Sequence, residues 1–154
     1  MSEIKSLDTV EEERVQYIVV KIGDEQYGLD ISYIDNIVRM QTITRVPKTP
    51  SHYRGIINLR GEVVPVMSVR TKMGLGDDVI TDKSRILILR LELQGLVGIL
   101  VDEVKEVITL GESEIDRNAK SSKKTETYIN GIGKNGDDLI SIFEITAIID
   151  EVEG

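Results

Sequence analysis

The chain contains 154 residues, with 19 Lys and Arg against 27 Asp and Glu, which gives a formal net charge of −8. This length corresponds to one domain, or to two very small subdomains with a common core. The sequence contains no cysteine, which excludes disulfides, thiolate metal sites and cysteine nucleophiles. Its apolar runs are far shorter than the roughly 20 residues that span a bilayer, so we expect a cytoplasmic protein without a membrane segment.

The apolar residues are of the types that favour sheets. The sequence has 22 Ile, 16 Val and 12 Leu but only two Ala and one Phe. Val and Ile lose rotamer freedom in helices and pack well on pleated surfaces, whereas Ala is the best helix former. The composition therefore predicts an all-β fold with few, short helices.

The first third of the chain is predicted to begin with a mobile acidic tail at 1–14. Strands are predicted at 15–22 and 26–29. Ile31, Ile34, Ile37 and Val38 then recur at helical spacing, which predicts a short helix. Two prolines make 46–50 an extended spacer.

The rest of the chain is predicted to be a series of hairpins. Strands at 55–59 and 63–67 form one in which Pro65 requires an edge position or a bulge, and Ser68 caps a short helix that Gly74 ends. The remaining predicted elements are a polar loop at 75–83, strands at 85–93, 96–101 and 104–110, a mobile loop at 111–127, strands at 128–133 and 139–142, and a helix with Ile145, Ile148, Ile149 and Val152 on one face. Near-continuous apolar runs in the strands after residue 84 predict burial on both faces.

One arrangement recurs along the chain: a strand, a Gly-containing turn, a strand and a short helix. Residues 62–69 align with 138–145 at an offset of 76. This favours two similar small barrels over one open sheet.

Several motifs of catalysis or ligand binding occur in settings that do not support that chemistry. Residues 131–136 fit G-x-G-x-x-G, but a strand follows instead of a helix, and Asn135-Gly136 is a strong hairpin signal. Ser121 and Lys124 lie in a polar loop, where the lysine stays solvated. His52 is predicted to lie at the surface, and the pairs Asp77-Asp78 and Asp137-Asp138 to be solvated in turns. We therefore predict no enzymatic activity, metal site or cofactor.

The charge is unevenly distributed. Residues 39–72 contain seven basic residues and one acidic residue, a net charge of +6, so the rest of the chain carries −14. A small barrel that binds nucleic acid through this basic segment 39–72 is one hypothesis, but Tyr53 is the only aromatic residue there for base stacking. A protein contact is the other, because Arg and interleaved apolar residues are typical of interfaces.

The segment 46–66 resembles the CheW family of bacterial chemotaxis coupling proteins, through the motif Gly-Ile-Ile-Asn-Leu-Arg-Gly-Glu-Val-Val-Pro at 55–65. Supporting matches are Tyr-Gly-Leu-Asp-Ile at 27–31 and Gly-Ile-Leu-Val-Asp at 98–102. The resemblance spans about residues 15–150. It implies a CheW-like domain of two intertwined five-stranded SH3-like β-barrels that share a hydrophobic core.

The resemblance also implies partners. Such an adaptor docks on the regulatory domain of the histidine kinase CheA and on the cytoplasmic tip of methyl-accepting chemoreceptors, which recruit it to membrane receptor arrays. The positions that match the family's receptor-coupling residues are Ile34, Gly55, Asn58, Arg60 and Gly61. The residues assigned to kinase contact are Arg45, Val46 and Arg54. We expect a free chain that is monomeric and binds no nucleic acid.

Two positions depart from the family pattern. Relatives often carry Glu where Asn36 stands, placed to pair with the Arg of the Asn-Leu-Arg-Gly turn, so Arg60 is expected to be free for a partner or to pair elsewhere. Relatives also often carry Asp where Ser68 stands, and both residue types cap helices.

Overall fold

The computed structural model describes residues 12–118 and 128–149, which form strands and short helices. The strands are β1 (Arg14–Ile22), β2 (Glu25–Asp30), β3 (Ile34–Arg39), β4 (Tyr53–Leu59), β5 (Glu62–Ser68), β6 (Arg85–Leu91), β7 (Gly95–Val101), β8 (Glu103–Gly111), β9 (Ile115–Asp116), β10 (Ile129–Asn135) and β11 (Asp138–Phe143). The helices are α1 (Val69–Lys72) and α2 (Ile145–Ile149), with 3-10 turns at Ile31–Tyr33 and Glu112–Glu114. The predominance of strands confirms the all-β prediction.

The strands form two sheets, each of which closes on itself. The first has the order β8-β1-β2-β11-β10-β9, and its two end strands are joined by a single 3-10 turn. The second has the order β3-β6-β7-β5-β4, and Thr44, shortly after β3, pairs with Ile56 of β4 through two N–H···O bonds of 2.8 Å. We call these barrel 1 and barrel 2. Because β8 and β9 act as two halves of one bent strand, the predicted pair of five-stranded barrels is confirmed, with barrel 2 inserted between β2 and β8.

The hydrophobic core has three parts, which follow from the alternation of side chains along a strand. Ile18 and Val20 of β1 pack with Leu87 of β6 in a core between the barrels. Their neighbours Val19 and Ile86 face the interiors of barrels 1 and 2 respectively. The strands β6 and β7 are therefore buried on both faces, as predicted, whereas the middle of β8 is exposed because its outer face meets solvent.

The internal repeat has a structural counterpart. The unit β4-β5-α1 in barrel 2 corresponds to β10-β11-α2 in barrel 1, and the second strand of each unit pairs in parallel with a strand of its own barrel. Val66 lies opposite Gly98, and Ile142, at the offset of 76, lies opposite Gly28. A Cβ on Gly98 would lie 2.8 Å from Ile86 Cγ2, so glycine allows the strands to pack closely here without a shift of that side chain.

The predicted helix at 31–38 is wrong. Only Ile31–Tyr33 forms a 3-10 turn, which Asp30 caps by accepting a 2.9 Å hydrogen bond from the Ser32 N–H. The chain then enters β3, whose residues are alternately half-buried and exposed. The predicted helix requires Ile37 to be a core residue, but Ile37 is 39% exposed. This segment forms a strand because it pairs with β6, and no local sequence signal indicates that pairing.

Other predictions are confirmed or corrected in part. Pro65 of β5 lies opposite Ile56 of β4, and the pairing of β5 with β7 begins only at the next residue, Val66. The side of Pro65 that lacks an N–H therefore faces a position where β5 has no partner strand, which confirms the prediction. The loop prediction at 111–127 is wrong for its first residues, which form a 3-10 turn and β9. Its remainder at 119–127 lies outside the described residues, as do Ser121, Lys124, Val152 and residues 1–11 of the tail. Glu12 of the predicted mobile tail is anchored, because it accepts hydrogen bonds of 3.0 and 2.8 Å from the N–H and Oγ of Ser113.

Candidate functional site

The turn between β4 and β5 presents an arginine at the end of barrel 2. Leu59 pairs with Glu62, which leaves Arg60 and Gly61 as the two turn residues, with φ of 55° and 83°. Two positive φ angles are typical of type I′ hairpin turns, whose twist matches that of the strands. The Gly61 N–H donates to Asn58 Oδ1 at 3.0 Å, which stabilises the turn. Asn58, Arg60 and Gly61 are thus brought together.

Arg60 is available to a partner. Its side chain is exposed, and it forms no ion pair with any residue that the structure describes. Asn36 is half-buried in β3, and its Oδ1 accepts a 2.8 Å hydrogen bond from the Ile37 N–H. Where the family resemblance leads us to expect a carboxylate, the chain therefore has an amide that accepts a bond from the backbone of the next residue.

The other two predicted receptor residues have structural roles. Ile34 begins β3 and packs half-buried against the core between the barrels. Gly55 is buried with φ of 143°, and a Cβ there would lie 2.2 Å from the carbonyl oxygen of Thr44. Gly55 is therefore needed where barrel 2 closes, and it lies at the opposite end of β4 from the Arg60 turn.

The three predicted kinase residues Arg45, Val46 and Arg54 line one concave surface, which we call the 43–54 groove. Its volume is about 200 Å³, and its lining residues are Ile43, Arg45, Val46, Lys48, Thr49, Pro50, Ser51, Tyr53 and Arg54. The predicted extended spacer at 46–50 is corrected to a turn, with Lys48 at a φ of 65°. Thr49 Oγ1 donates to the Val46 carbonyl at 2.8 Å and fixes this wall.

A buried carboxylate lies behind the groove. Asp78 Oδ2 is 3.7 Å from Arg54 Nη1, and the Asp78 side chain is only 6% exposed. Ser68 Oγ donates to Asp78 Oδ1 at 3.0 Å. The prediction that Asp78 is solvated is therefore wrong, because the loop after α1 folds back over the start of the helix. The available signal was Ser68 itself, at a position where the family resemblance leads us to expect Asp, because a carboxylate there would repel Asp78.

Arg70 belongs to the basic segment by sequence but not to its exposed surface. Its Nη2 and Nε donate to the Asp102 carboxylate at 2.6 and 3.3 Å, and this hydrogen bonding raises the pKa of Arg70. Asp102 Oδ2 also accepts a 2.8 Å bond from the Gly23 N–H. The cluster joins α1 of barrel 2 to the β1–β2 turn of barrel 1. Sequence reasoning missed it because the partners are 32 and 79 residues apart.

The glycine motif at 131–136 is a hairpin, as predicted. It spans β10 and the turn to β11, with Gly136 at a φ of 66°.

Within residues 12–118 and 128–149, no group of three or more His, Cys, Asp and Glu residues is placed to hold a metal ion. None of the helices in this part of the chain is long and apolar enough to cross a membrane.

Comparison with known proteins gives one consistent result. Residues 16–153 match the family model of the CheW-like domain. The chain is 36% identical to the chemotaxis protein CheW of Helicobacter pylori, over 90% of this chain and 83% of that protein. Identity to the chemotaxis protein CheW of Bacillus subtilis is 35%, over 87% and 86%.

A solved structure agrees with these relatives. The crystal structure of the scaffolding protein TtCheW from Thermoanaerobacter tengcongensis is similar with a TM-score of 0.80 and 32% identity, and the match covers 90% of both chains. The family model, the relatives and the shared fold together place this chain in the CheW family.

Proposed function

We propose that this chain is a non-catalytic chemotaxis adaptor that couples methyl-accepting chemoreceptors to the regulatory domain of a CheA-type histidine kinase. The relatives are chemotaxis proteins, and the similar solved structure is described as a scaffolding protein. We further propose that it acts in the cytoplasm and is recruited to receptor arrays at the membrane. Of the two functions that the sequence left open, these comparisons favour the adaptor over a nucleic-acid module.

The receptor part of the proposal rests on the exposed Arg60 side chain, which the β4–β5 turn holds at the end of barrel 2. A guanidinium on a fixed turn, with no ion pair among the described residues, is a ready donor for carboxylate or carbonyl groups of a partner. Its backbone is also in the left-handed region, which disfavours residues other than glycine. A turn that accepts this strain to present a charge is typical of a functional site.

The kinase is proposed to dock on the 43–54 groove. Arg54 lies near the start of β4 and Arg60 directly after its end, so their backbones are six residues, or at most about 20 Å, apart along the strand direction. Two docking points on one closed barrel would hold receptor and kinase in fixed register. Fixed charges would orient the partners, and apolar neighbours such as Val46 and Val63 would provide buried contact area.

Arg60→Ala tests the receptor assignment. Receptor-dependent control of kinase autophosphorylation should fall about tenfold or more, whereas the free energy of unfolding should stay within about 1 kcal/mol of the unaltered chain. Reconstituted receptor vesicles with CheA give the first value, and urea denaturation gives the second. Lys134→Ala is the matched control, because it removes one exposed positive charge from barrel 1.

Two results would contradict the assignment. Loss of the fold in Arg60→Ala would make Arg60 a structural residue. Full kinase control with Arg60→Ala, or an equal loss with Lys134→Ala, would mean that the turn is not the receptor contact.

A further inference from the structure

The loop 75–83 places a nearly buried carboxylate beside Arg54. Asp78 has 6% side-chain exposure, and its Oδ1 accepts the hydrogen bond from Ser68 Oγ. Among the described residues, Oδ2 has no hydrogen-bond donor. A buried polar atom without a partner destabilises a fold, and an asparagine would keep the bond from Ser68 without burying a charge. What the carboxylate adds over an amide is therefore its charge, which attracts Arg54 directly and also adds to the effect of the Asp102 hydrogen bond in raising the pKa of Arg70.

Asp78 Oδ2, the oxygen without a hydrogen bond, faces Arg54. The distance of 3.7 Å from Oδ2 to Nη1 is beyond hydrogen-bond range but within the range of a direct ion pair. The Arg54 side chain is 45% exposed and lines the 43–54 groove. One side of this guanidinium thus meets a fixed negative charge, while the rest is open to a partner.

The carboxylate itself is held in place from two directions. Ser68, which caps α1, bonds Oδ1, and Arg70 Nη1 donates to the carbonyl oxygen of the neighbouring Asp77 at 3.1 Å. Since Arg70 is itself fixed by Asp102, the loop is tied to the cluster that joins the two barrels. Asp78 can therefore act as a fixed negative charge for the half-exposed guanidinium of Arg54.

We infer that Asp78 is a positioning residue, whose buried carboxylate orders the Arg54 guanidinium at the rim of the 43–54 groove. Ordered in this way, Arg54 loses less side-chain entropy when its remaining N–H donors bind carboxylate or carbonyl oxygens of the partner. The inference rests on the proposed kinase docking for its consequence, but not for the ordering itself. It also links two features of this sequence, because an acidic residue at position 68 would be incompatible with a carboxylate at 78.

The ordering is measured without any partner. In the full-length chain, ¹⁵N relaxation of the Arg54 Nε–Hε group should give a clearly lower order parameter in Asp78→Asn than in the unaltered chain. Asp77→Asn is the matched control, because it removes the same charge from the adjacent, exposed position. The melting temperature of Asp78→Asn should be unchanged or higher.

Unchanged order of Arg54 in Asp78→Asn would overturn the inference, and so would an equal loss in the control. A lower melting temperature with Arg54 still ordered would make Asp78 purely structural. If Asp78→Asn does not fold, Asp78→Ser removes the carboxylate with a smaller side chain and is compared with the same control.

Binding to the purified CheA regulatory domain tests the consequence. Asp78→Asn should weaken binding by about three- to tenfold, as should Arg54→Ala, and the double variant should be no weaker than Arg54→Ala alone. Losses that multiply would overturn positioning through Arg54. If the unaltered chain does not bind while Asp78→Asn still disorders Arg54, the kinase assignment fails and the positioning role stands.

Discussion

The turn between β4 and β5 in barrel 2 and the turn between β10 and β11 in barrel 1 each contain two residues, but a different type of residue occupies the first position. In barrel 1 the first turn residue is Gly136, at a φ of 66°, and the second is Asp137. In barrel 2 the first is Arg60, at a φ of 55°. A residue with a Cβ is disfavoured in this conformation by roughly 1 kcal/mol. Barrel 1 therefore has the relaxed form of the turn, and barrel 2 a strained form that presents a charge.

The strands that close the two barrels differ in a related way. Gly55 of β4 and Gly131 of β10 are equivalent at the offset of 76. A Cβ at Gly55 would meet the Thr44 backbone, whereas at Gly131 its nearest contact would be Ile115 Cγ2 at 2.7 Å, a side-chain atom that can move. The glycine in β4 of barrel 2 is thus packed against backbone, and its counterpart in β10 of barrel 1 against a side chain. The barrel with the backbone contact is the one that carries both proposed docking sites.

The largest predicted effect separates these two closures. Gly55→Ala should lower the free energy of unfolding by about 3 to 5 kcal/mol, because the backbone at Thr44 must move and the φ angle becomes strained. Gly131→Ala should lower it by only about 1 to 2 kcal/mol, because Ile115 can adjust. Urea denaturation of both variants makes the comparison. Equal losses would contradict the distinction between the two closures.

The next effect concerns the joint between the barrels. Asp102→Asn should lower the free energy of unfolding by about 2 kcal/mol, because it leaves the Arg70 guanidinium, with 15% side-chain exposure, without its ionic partner. Asp35→Asn is the control, since it breaks an ion pair in which the Arg90 side chain is 65% exposed, and should cost about 0.5 kcal/mol. Chemical denaturation provides both values. A loss in Asp102→Asn no larger than in the control would mean that the joint does not depend on this cluster.

A third effect depends on pH and tests an aromatic contact that barrel 1 contributes to the core. Burial raises the pKa of Tyr27 to about 12, and its ring stacks on Phe143 with centroids 4.6 Å apart. In the unfolded chain this tyrosine has a pKa near 10, so as pH rises it ionises in the unfolded state before it does so in the folded state. Ionisation stabilises the unfolded state, and the free energy of unfolding therefore falls from about pH 10 towards pH 12. Between pH 9 and 11 the unaltered chain should lose about 1 kcal/mol more than Tyr27→Phe. Parallel pH profiles of the two proteins would refute this pKa.

Much of the fold could be predicted from sequence because the signals are local. Alternation, turn residues and the cap at Ser68 located both hairpins and α1. The family motif at 55–65 predicted the closed barrels, although Thr44, the residue that closes barrel 2, has no strand signal of its own. The helix predicted at 31–38 failed because Ile37 is an exposed residue of a strand whose partner, β6, begins about 50 residues later.

The candidate site was less predictable, because its chemistry depends on distant residues. Arg60 was found through the motif. Asp78, in contrast, looked like half of a solvated pair in a turn, and only the folded loop brings it against Ser68 and Arg54. Arg70 was counted with the basic surface because its partner Asp102 is remote in sequence. A count of charged residues along a chain does not distinguish side chains that are exposed to a partner from those neutralised by an ion pair within the fold.

The smallest effect tests the strained turn directly. Arg60→Gly should raise the free energy of unfolding by about 0.5 kcal/mol, because relief of the Cβ strain exceeds the added entropy of glycine in the unfolded chain. The same change removes the guanidinium, so receptor-dependent kinase control should fall as far as in Arg60→Ala. Gly136→Arg imposes the reverse change on barrel 1 and should destabilise by about 1 kcal/mol without affecting that control. A destabilised Arg60→Gly, measured by urea denaturation, would mean that the Arg60 side chain supports the turn, and that barrel 2 is not strained in order to present it.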